Sequence, residues 1–327
     1  MIRTKEQPNC YLCGIEGRVV HTNMPDLLYR VPGSWNMRQC VNAACALLWL
    51  DPMPVTEDLG AGYQTYFTHG SGEPLPLRLL RLGYRLGTSI PDFILGLWHA
   101  ESSLHSMYLG QATPGRLLDV GCGNGQFLNK MHTRGWEVCG VDFDPKAVEN
   151  ARQLYKLDVR AGSLADQHFP DSSFDAVTAN HVIEHLPDPV AFLGEARRIV
   201  KPGGCLIVTT PNNQGLGHQM FQAHWYGIDP PRHVLVHSPM SLAECARRAG
   251  CSPVTVQTTA GRAETFIAGS FKLRAEDSAN GGAQFGDNSI LLRTLKTFQL
   301  RYREQLLLRT SPNCGEEAVL IFQKPPA

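Results

Sequence analysis

Residues 117–128 read LLDVGCGNGQFL. An apolar run ends in Asp119 and passes into Gly121, Gly123 and Gly125, and a helical pattern starts at about Asn124. Glycine in such a strand-to-helix turn admits unusual dihedrals and lets a ligand approach the backbone closely. Alone, G-x-G-x-G is a weak signal, because any doubly wound domain can carry it. The next apolar run, WEVCGVDFDP, strengthens it. It ends in Asp142, 23 positions after Asp119, and an acidic residue at the end of a second strand is placed to accept from ribose hydroxyls. Asp144-Pro145 then opens a helix, with Asp as cap and Pro at its first position. Position 126 is Gln where a dinucleotide fingerprint wants Gly, and no G-K-[ST] follows. The expected ligand is therefore a nucleoside with a cationic or zwitterionic tail, whose ammonium the Asp119 carboxylate would help to hold.

Outward from this turn, short apolar runs alternate with helical stretches. RLLDV, WEVCGV, LDVR, FDAVTA and CLIVTT read as strands, and PVTVQTT and EAVLIFQ as two more that complete the sheet. Strand-helix alternation implies a parallel sheet. The expected fold is α/β, a Rossmann-like, doubly wound, mostly parallel sheet of seven strands behind a small N-terminal metal-binding subdomain. Three regions are expected: 1–55, the cysteine-bearing subdomain; 56–110, a linker and helical segment broken at Pro91; and 111–327, the main domain. Insertions at 211–250 and 260–317 in the main domain are expected to carry specificity.

The chain has 327 residues, with 30 Lys plus Arg against 30 Asp plus Glu and 43% hydrophobic residues. Zero net charge argues against a nucleic-acid partner and against an acidic disordered tail. No apolar run approaches the about 18–20 residues that span a bilayer. MIRTKEQPNC lacks the character of a signal peptide. A cytoplasmic location is expected, with the ten cysteines reduced or metal-bound.

Four of those cysteines come early. Cys10-x2-Cys13 and Cys40-x4-Cys45 stand 26 residues apart. Two thiolate pairs make a tetrahedral zinc site with no open position, hence a structural one. The alternative is four reduced thiols in a subdomain that would struggle to fold without metal. The other six read as small core residues, with Cys122 packing beside the ligand.

Taken in order, LLDVGCGNGQFL, VDFDP, FPDSSFDAVTANHVIEHLPDP and KPGG resemble the class I S-adenosylmethionine-dependent methyltransferases over about residues 115–210. The resemblance implies that Gly121 to Gly125, with Cys122, wrap the methionine part of S-adenosylmethionine and that Asp142 binds its ribose. It implies that Phe143 packs on adenine, bordered by Ser163 and Leu164. It sets Asn180 and His181 beneath the methionine moiety, with His185 nearby. Tyr66 would close the cofactor pocket, as aromatic residues ahead of the first helix do in relatives. The CYLCG opening and CALLWLDPMP resemble the zinc-ribbon segment ahead of some bacterial methyltransferases of sugar or cell-envelope type.

His181, Glu184 and His185 also fit H-x-x-E-H, an inverted zinc-peptidase signature. Pro187 and Pro189 cut that helix short, and the x-V-x-E-H-L string recurs in the resembled family without metal. Residues 218–239, HQMFQAHWYGIDPPRHVLVHSP, hold four histidines. His233 or His224 is the expected general base for a hydroxyl acceptor, since imidazole titrates near neutrality. Leu75, Leu79, Leu82 and Leu86 form a helical stripe beside Arg78, Arg81 and Arg85. It is read as packing on its own domain, with peripheral membrane contact as the alternative. The expected reaction is O-methylation of a small-molecule, sugar or glycan-precursor acceptor. The alternatives are C- or N-methylation of a sugar or metabolite, or a non-catalytic cofactor-binding module. No motif identifies the acceptor or an oligomeric state.

Overall fold

A computed structural model describes residues 2–63, 90–281 and 289–326. Tyr66 and the Leu75–Leu86 and Arg78–Arg85 stripes lie outside the described residues. The chain opens with β1 (Thr4–Lys5), β2 (Arg18–Met24), β3 (Trp35–Gln39), β4 (Leu48–Leu50) and β5 (Met53–Pro54), followed by a 3-10 turn over Thr56–Tyr63 and helix α1 (Leu97–His105). The alternating region then runs β6 (Arg116–Val120), α2 (Gln126–His132), β7 (Glu137–Asp142), α3 (Pro145–Tyr155), β8 (Asp158–Ala161), β9 (Phe174–Asn180), α4 (Pro189–Ile199) and β10 (Val200–Pro211). The remainder comprises α5 (Leu216–Phe221), β11 (Leu235–Val236), α6 (Pro239–Arg248), β12 (Val254–Thr259), α7 (Ala263–Ala279), α8 (Ile290–Leu307) and β13 (Glu317–Gln323).

All seven expected strands join one sheet, in the order β12-β13-β10-β9-β6-β7-β8. The run from β10 to β8 is parallel. β13 is antiparallel to both β10 and β12. The innermost strands are apolar on both faces: Leu117, Leu118, Val177 and Val208 are fully buried, as a sheet covered on both sides requires. Chain order reverses on either side of β6, whose neighbours are β7 and β9. A doubly wound sheet binds ligands at such a switch point, beyond the carboxyl ends of its strands.

Local signals set the helix starts. Asp144 accepts from Lys146 N at 2.9 Å ahead of Pro145, and Asp188 accepts from Ala191 N at 3.0 Å ahead of Pro189. Ser238 and Ser241 cap each other reciprocally ahead of α6. Each cap satisfies a first-turn N–H that has no helical partner.

The N-terminal segment is bound into the rest of the chain. β2, β3 and β4 form an antiparallel sheet whose fourth strand is β11, paired Leu235↔Trp49 and Val236↔Leu48. Asn213 Nδ2 donates to the carbonyls of Ala46 (2.7 Å) and Val236 (2.8 Å), and Ser238 Oγ donates to Cys45 O at 2.6 Å. No described helix is long and apolar enough to cross a membrane.

Candidate functional site

The glycine turn after β6 is held from both sides. Gly121, Gly123 and Gly125 take φ of +71°, +53° and +77°, a region costly for any residue with a Cβ. A Cβ on Gly121 would lie 2.4 Å from Val182 Cγ2, and one on Gly125 2.9 Å from Ala151 Cβ. A Cβ on Gly123 would meet nothing within 4 Å, so the turn opens at that residue. Asp142 fastens the turn, its carboxylate accepting from Gly123 N at 2.7 Å and from Asp144 N at 2.8 Å. Each oxygen keeps a lone pair for a further donor. Phe143, next to it, is 67% exposed, and a Cβ on Gly60 would approach its ring at 3.3 Å. The 3-10 turn of residues 56–63 thus flanks the same opening.

Asp119 lies beneath this turn, buried, accepting from Thr178 Oγ1 at 2.6 Å. Burial above all, and then the Asp142 charge, push its carboxyl up to about 7, against the Thr178 hydrogen bond. A carboxylate held this far from water favours a cation as its neighbour. Cys122 is buried in the turn, and burial raises its thiol, the character of a packing residue rather than a nucleophile. After β8, Leu164 is buried, while Ser163 turns to Asp166, giving Oγ at 2.7 Å and N at 3.0 Å.

At the end of β9 the backbone changes character. His181 takes φ +55° and residues 183–185 form a 3-10 turn, not a helix, so His181 and His185 do not share a helical face. His181 Nδ1 faces Glu184 Oε1 at 3.0 Å and Nε2 faces Glu317 Oε1 at 2.8 Å. Burial alone would lower this imidazole. The two carboxylate hydrogen bonds outweigh that and hold it up to about 9. With both nitrogens turned to carboxylates, His181 stands outside any ligand group with His185, which speaks against the peptidase reading. Asn180 Oδ1 accepts from Thr209 Oγ1 (2.7 Å) and Arg262 Nη1 (3.0 Å). Arg262 also reaches Glu317 at 3.3 Å.

His185 and His233 stand edge to face, centroids 4.7 Å apart. His185 Nδ1 donates to Arg232 O at 3.0 Å and His233 Nδ1 to Gly227 O at 2.8 Å. A carbonyl only accepts, so Nδ1 carries a proton in both rings, and in a neutral ring Nε2 is the nitrogen left to accept. His233 is buried, with Asp229 Oδ2 at 4.0 Å from Nε2. His224 stands apart from this pair and meets Asp277 at 3.1 Å. It lines a cavity of about 190 Å³ with Asn23, Asp26, Asp229 and Asp277.

No sequence pattern marked several residues that hold this region. Arg232, fully buried, is gripped by Asp229 and by Asp26, whose oxygens lie 2.8 and 2.9 Å from its guanidinium. Thr178, Arg262 and Glu317 were equally silent. Glu317 reaches the site because β13 runs antiparallel, placing its first residue opposite Pro211, the last of β10.

The sulfur atoms of Cys10, Cys13, Cys40 and Cys45 all lie within 4.8 Å of one another. Gly14 N donates to Cys10 O at 2.9 Å and Gly14 takes φ +67°, which turns the chain after the first pair. Cys45 and Ala46 both donate to Asn42 O at 2.9 Å, turning it after the second. The Cys45 hydrogen bond draws the Cys10 thiol down, toward the thiolate form that a metal ligand must take.

Residues 100–256 match the family model described as "Methyltransferase domain". A "Probable S-adenosylmethionine-dependent methyltransferase" of Mycolicibacterium smegmatis is 36% identical over 117 residues, 35% of this chain and 46% of the relative. A ubiquinone biosynthesis O-methyltransferase of Alkalilimnicola ehrlichii is 38% identical over 127 residues, 35% of this chain and 50% of the relative. The chain thus spans about half the length of the curated relatives it matches. Phosphoethanolamine N-methyltransferase 2 of Haemonchus contortus, solved with S-adenosyl-L-methionine, superposes with a TM-score of 0.50 at 17% identity, over 85% of this chain and 63% of that one. At that identity the likeness is one of fold.

Proposed function

We propose that this chain is an S-adenosylmethionine-dependent methyltransferase acting on the hydroxyl of a small molecule, with a sugar or glycan precursor as the acceptor class. The observation that carries the reading is the open turn at Gly123 fastened by Asp142, over a buried Asp119. These residues fit the cofactor: Asp142 for the ribose hydroxyls, exposed Phe143 for adenine with Leu164 and Ser163 along its border, and Asp119 toward the ammonium. Gly121, Cys122 and Gly125 shape the turn around the methionine portion. Asn180 ends the neighbouring strand β9, and His181 and His185 follow it.

When bound, S-adenosylmethionine supplies an electrophilic methyl on a sulfonium. The chain's own residues orient the acceptor and activate it. His233 would activate the hydroxyl: its Nδ1 is committed to Gly227 O, which leaves Nε2 as the nitrogen to take the proton. His224, held by Asp277 at the cavity of about 190 Å³, orients the acceptor. His181 is excluded from the basic role by its two carboxylate partners. With the cofactor bound, the acceptor oxygen would form a bond to the methyl carbon as the sulfonium S–C bond breaks to leave a thioether, and the hydroxyl proton would pass to His233 Nε2. Holding the two reactants in line supplies much of the acceleration. The name of the ubiquinone O-methyltransferase relative supports oxygen over carbon or nitrogen as the acceptor atom.

Cys10, Cys13, Cys40 and Cys45 would hold a structural zinc, since four thiolates leave no open position. None of the ten cysteines is paired in a disulfide, which fits a reducing compartment.

Calorimetry with S-adenosylmethionine tests the reading. Asp142→Ala is expected to lose about 1–3 kcal/mol of binding. Unchanged affinity would remove the cofactor assignment. A screen of hydroxylated acceptors with methyl-labelled cofactor tests the chemistry, and tight binding without turnover on any acceptor would favour a non-catalytic module.

A further inference from the structure

The H-x-x-E-H string does not close on itself, but two of its residues meet a third from 48 positions away. Donor atoms of Glu184, His185 and His233 all lie within 4.8 Å of one another. His181 is absent from this group, its two nitrogens being turned to Glu184 and Glu317.

We propose that Glu184, His185 and His233 form a divalent-cation site, separate from the four-cysteine cluster. The first argument is the donor set. Two imidazoles and a carboxylate suit zinc, manganese or iron, and three protein ligands leave positions for water or an acceptor oxygen. Four thiolates close a site; this set does not.

The second argument is that each donor is oriented from behind. Metal-binding histidines give their other N–H to a carbonyl or carboxylate, which fixes the tautomer. His185 gives Nδ1–H to Arg232 O and His233 gives Nδ1–H to Gly227 O, so Nε2 is the nitrogen through which each ring would ligate. Glu184 is fully buried and oriented by His181 on one oxygen and Thr210 on the other, each at 3.0 Å. Its remaining lone pairs stay available.

The third argument is rigidity. Val234 N donates to Glu184 O at 2.9 Å, while His185 donates to Arg232 O. These reciprocal bonds lock residues 184–185 against 232–234, so the three donors come as a preassembled set. The buried clamp of Asp26 and Asp229 on Arg232 holds the second segment in turn.

The existence of the site does not depend on the methyl-transfer reading, but its use does. A cation here would bind the acceptor hydroxyl and lower its pKa, the proton leaving to solvent. His233 would then activate the acceptor through the ion instead of taking the proton itself.

The probe is Co2+, added to the full chain as purified, with its cysteine cluster left loaded. About one equivalent is expected to bind, with the weak visible bands of nitrogen and oxygen ligation and without thiolate charge-transfer intensity. His233→Ala is expected to weaken Co2+ binding at least tenfold while S-adenosylmethionine still binds by calorimetry, which shows that the variant folds. Glu184→Gln, checked by its melting curve, is expected to act in the same direction. His224→Ala, outside the cluster, should bind Co2+ as the parent does. Absence of Co2+ binding, thiolate-type bands alone, or equal binding by the parent and His233→Ala would each overturn the proposal. Co2+ binding in a chain that fails to bind S-adenosylmethionine would leave the site standing and remove the methyl-transfer reading.

Discussion

Nε2 of His181 lies 2.8 Å from Oε1 of Glu317, a residue 136 positions further along the chain. With Glu184 on the other nitrogen, the pair joins the end of β9 to the start of β13. The ordinary histidine value is 6.5, and in the folded chain it rises to about 9: burial opposes the proton, but the two carboxylates hold it. A raised folded-state value means that the stabilisation is complete below pH 6.5 and is lost as pH climbs through 9. Thermal melts from pH 6.5 to 9.5 should fall in Tm for the parent chain. Glu317→Gln removes one partner, so its Tm should be lower near neutrality and flatter across that window. Parallel curves for the two proteins would contradict the assignment.

Gly121 and Gly123 have similar φ but different surroundings. Gly121→Ala meets Val182 at 2.4 Å, adding overpacking of about 1–3 kcal/mol to a backbone cost of about 1–2 kcal/mol. Gly123→Ala bears only the backbone cost, because its Cβ points into open space. Urea unfolding should therefore show Gly121→Ala as the less stable of the two. Calorimetry should show Gly123→Ala losing about tenfold in S-adenosylmethionine affinity, because its methyl occupies the ligand's space. Pairing Gly121→Ala with Val182→Ala should recover part of the stability; no recovery would mean that the contact is not the cause.

Arg232 is buried between Asp26 and Asp229. Replacing it by Ala strands two carboxylates and should cost roughly 3–5 kcal/mol. Asp26 also accepts from the backbone of Leu28 (3.0 Å), Tyr29 (3.0 Å) and Val31 (3.2 Å). Arg232→Ala should therefore loosen that N-terminal turn as well. Hydrogen exchange would register it as faster exchange at residues 28–31, and unaltered protection there would argue against coupling.

Cys10→Ser with Cys13→Ser should lower zinc content by one per chain, measured by mass spectrometry of the metal. The Ser238 and Asn213 bonds to Cys45 O and Ala46 O tie this cluster to the insertion that carries His233. Acceptor KM should consequently rise in this variant more than the dissociation constant of S-adenosylmethionine. Unchanged metal content would remove the zinc assignment.

Much of the architecture was legible locally. Every strand of the central sheet was an apolar run of the expected kind, and Asp144-Pro145 began a helix as expected. HVIEH, already disfavoured as a helical metal motif by Pro187 and Pro189, forms a 3-10 turn after a positive-φ His181, and the Glu317 that meets the His181 ring is 136 positions away. The two cysteine pairs were visible in sequence, and their convergence appears only in the folded chain.

By itself the sequence determined the alternation of strands and helices, the glycine turn and the carboxylates at the ends of β6 and β7. Hydrogen-bond periodicity and glycine dihedrals act within a few residues of chain, so their signature is written there. Tertiary structure alone decided the rest. It paired β11 with β4, ran β13 backwards so that Glu317 faces His181, closed two carboxylates on Arg232, and brought His233 to Glu184 and His185. Those partners are distant in sequence, and burial of charge selects them: a buried ion must find its counter-ion wherever the fold supplies one.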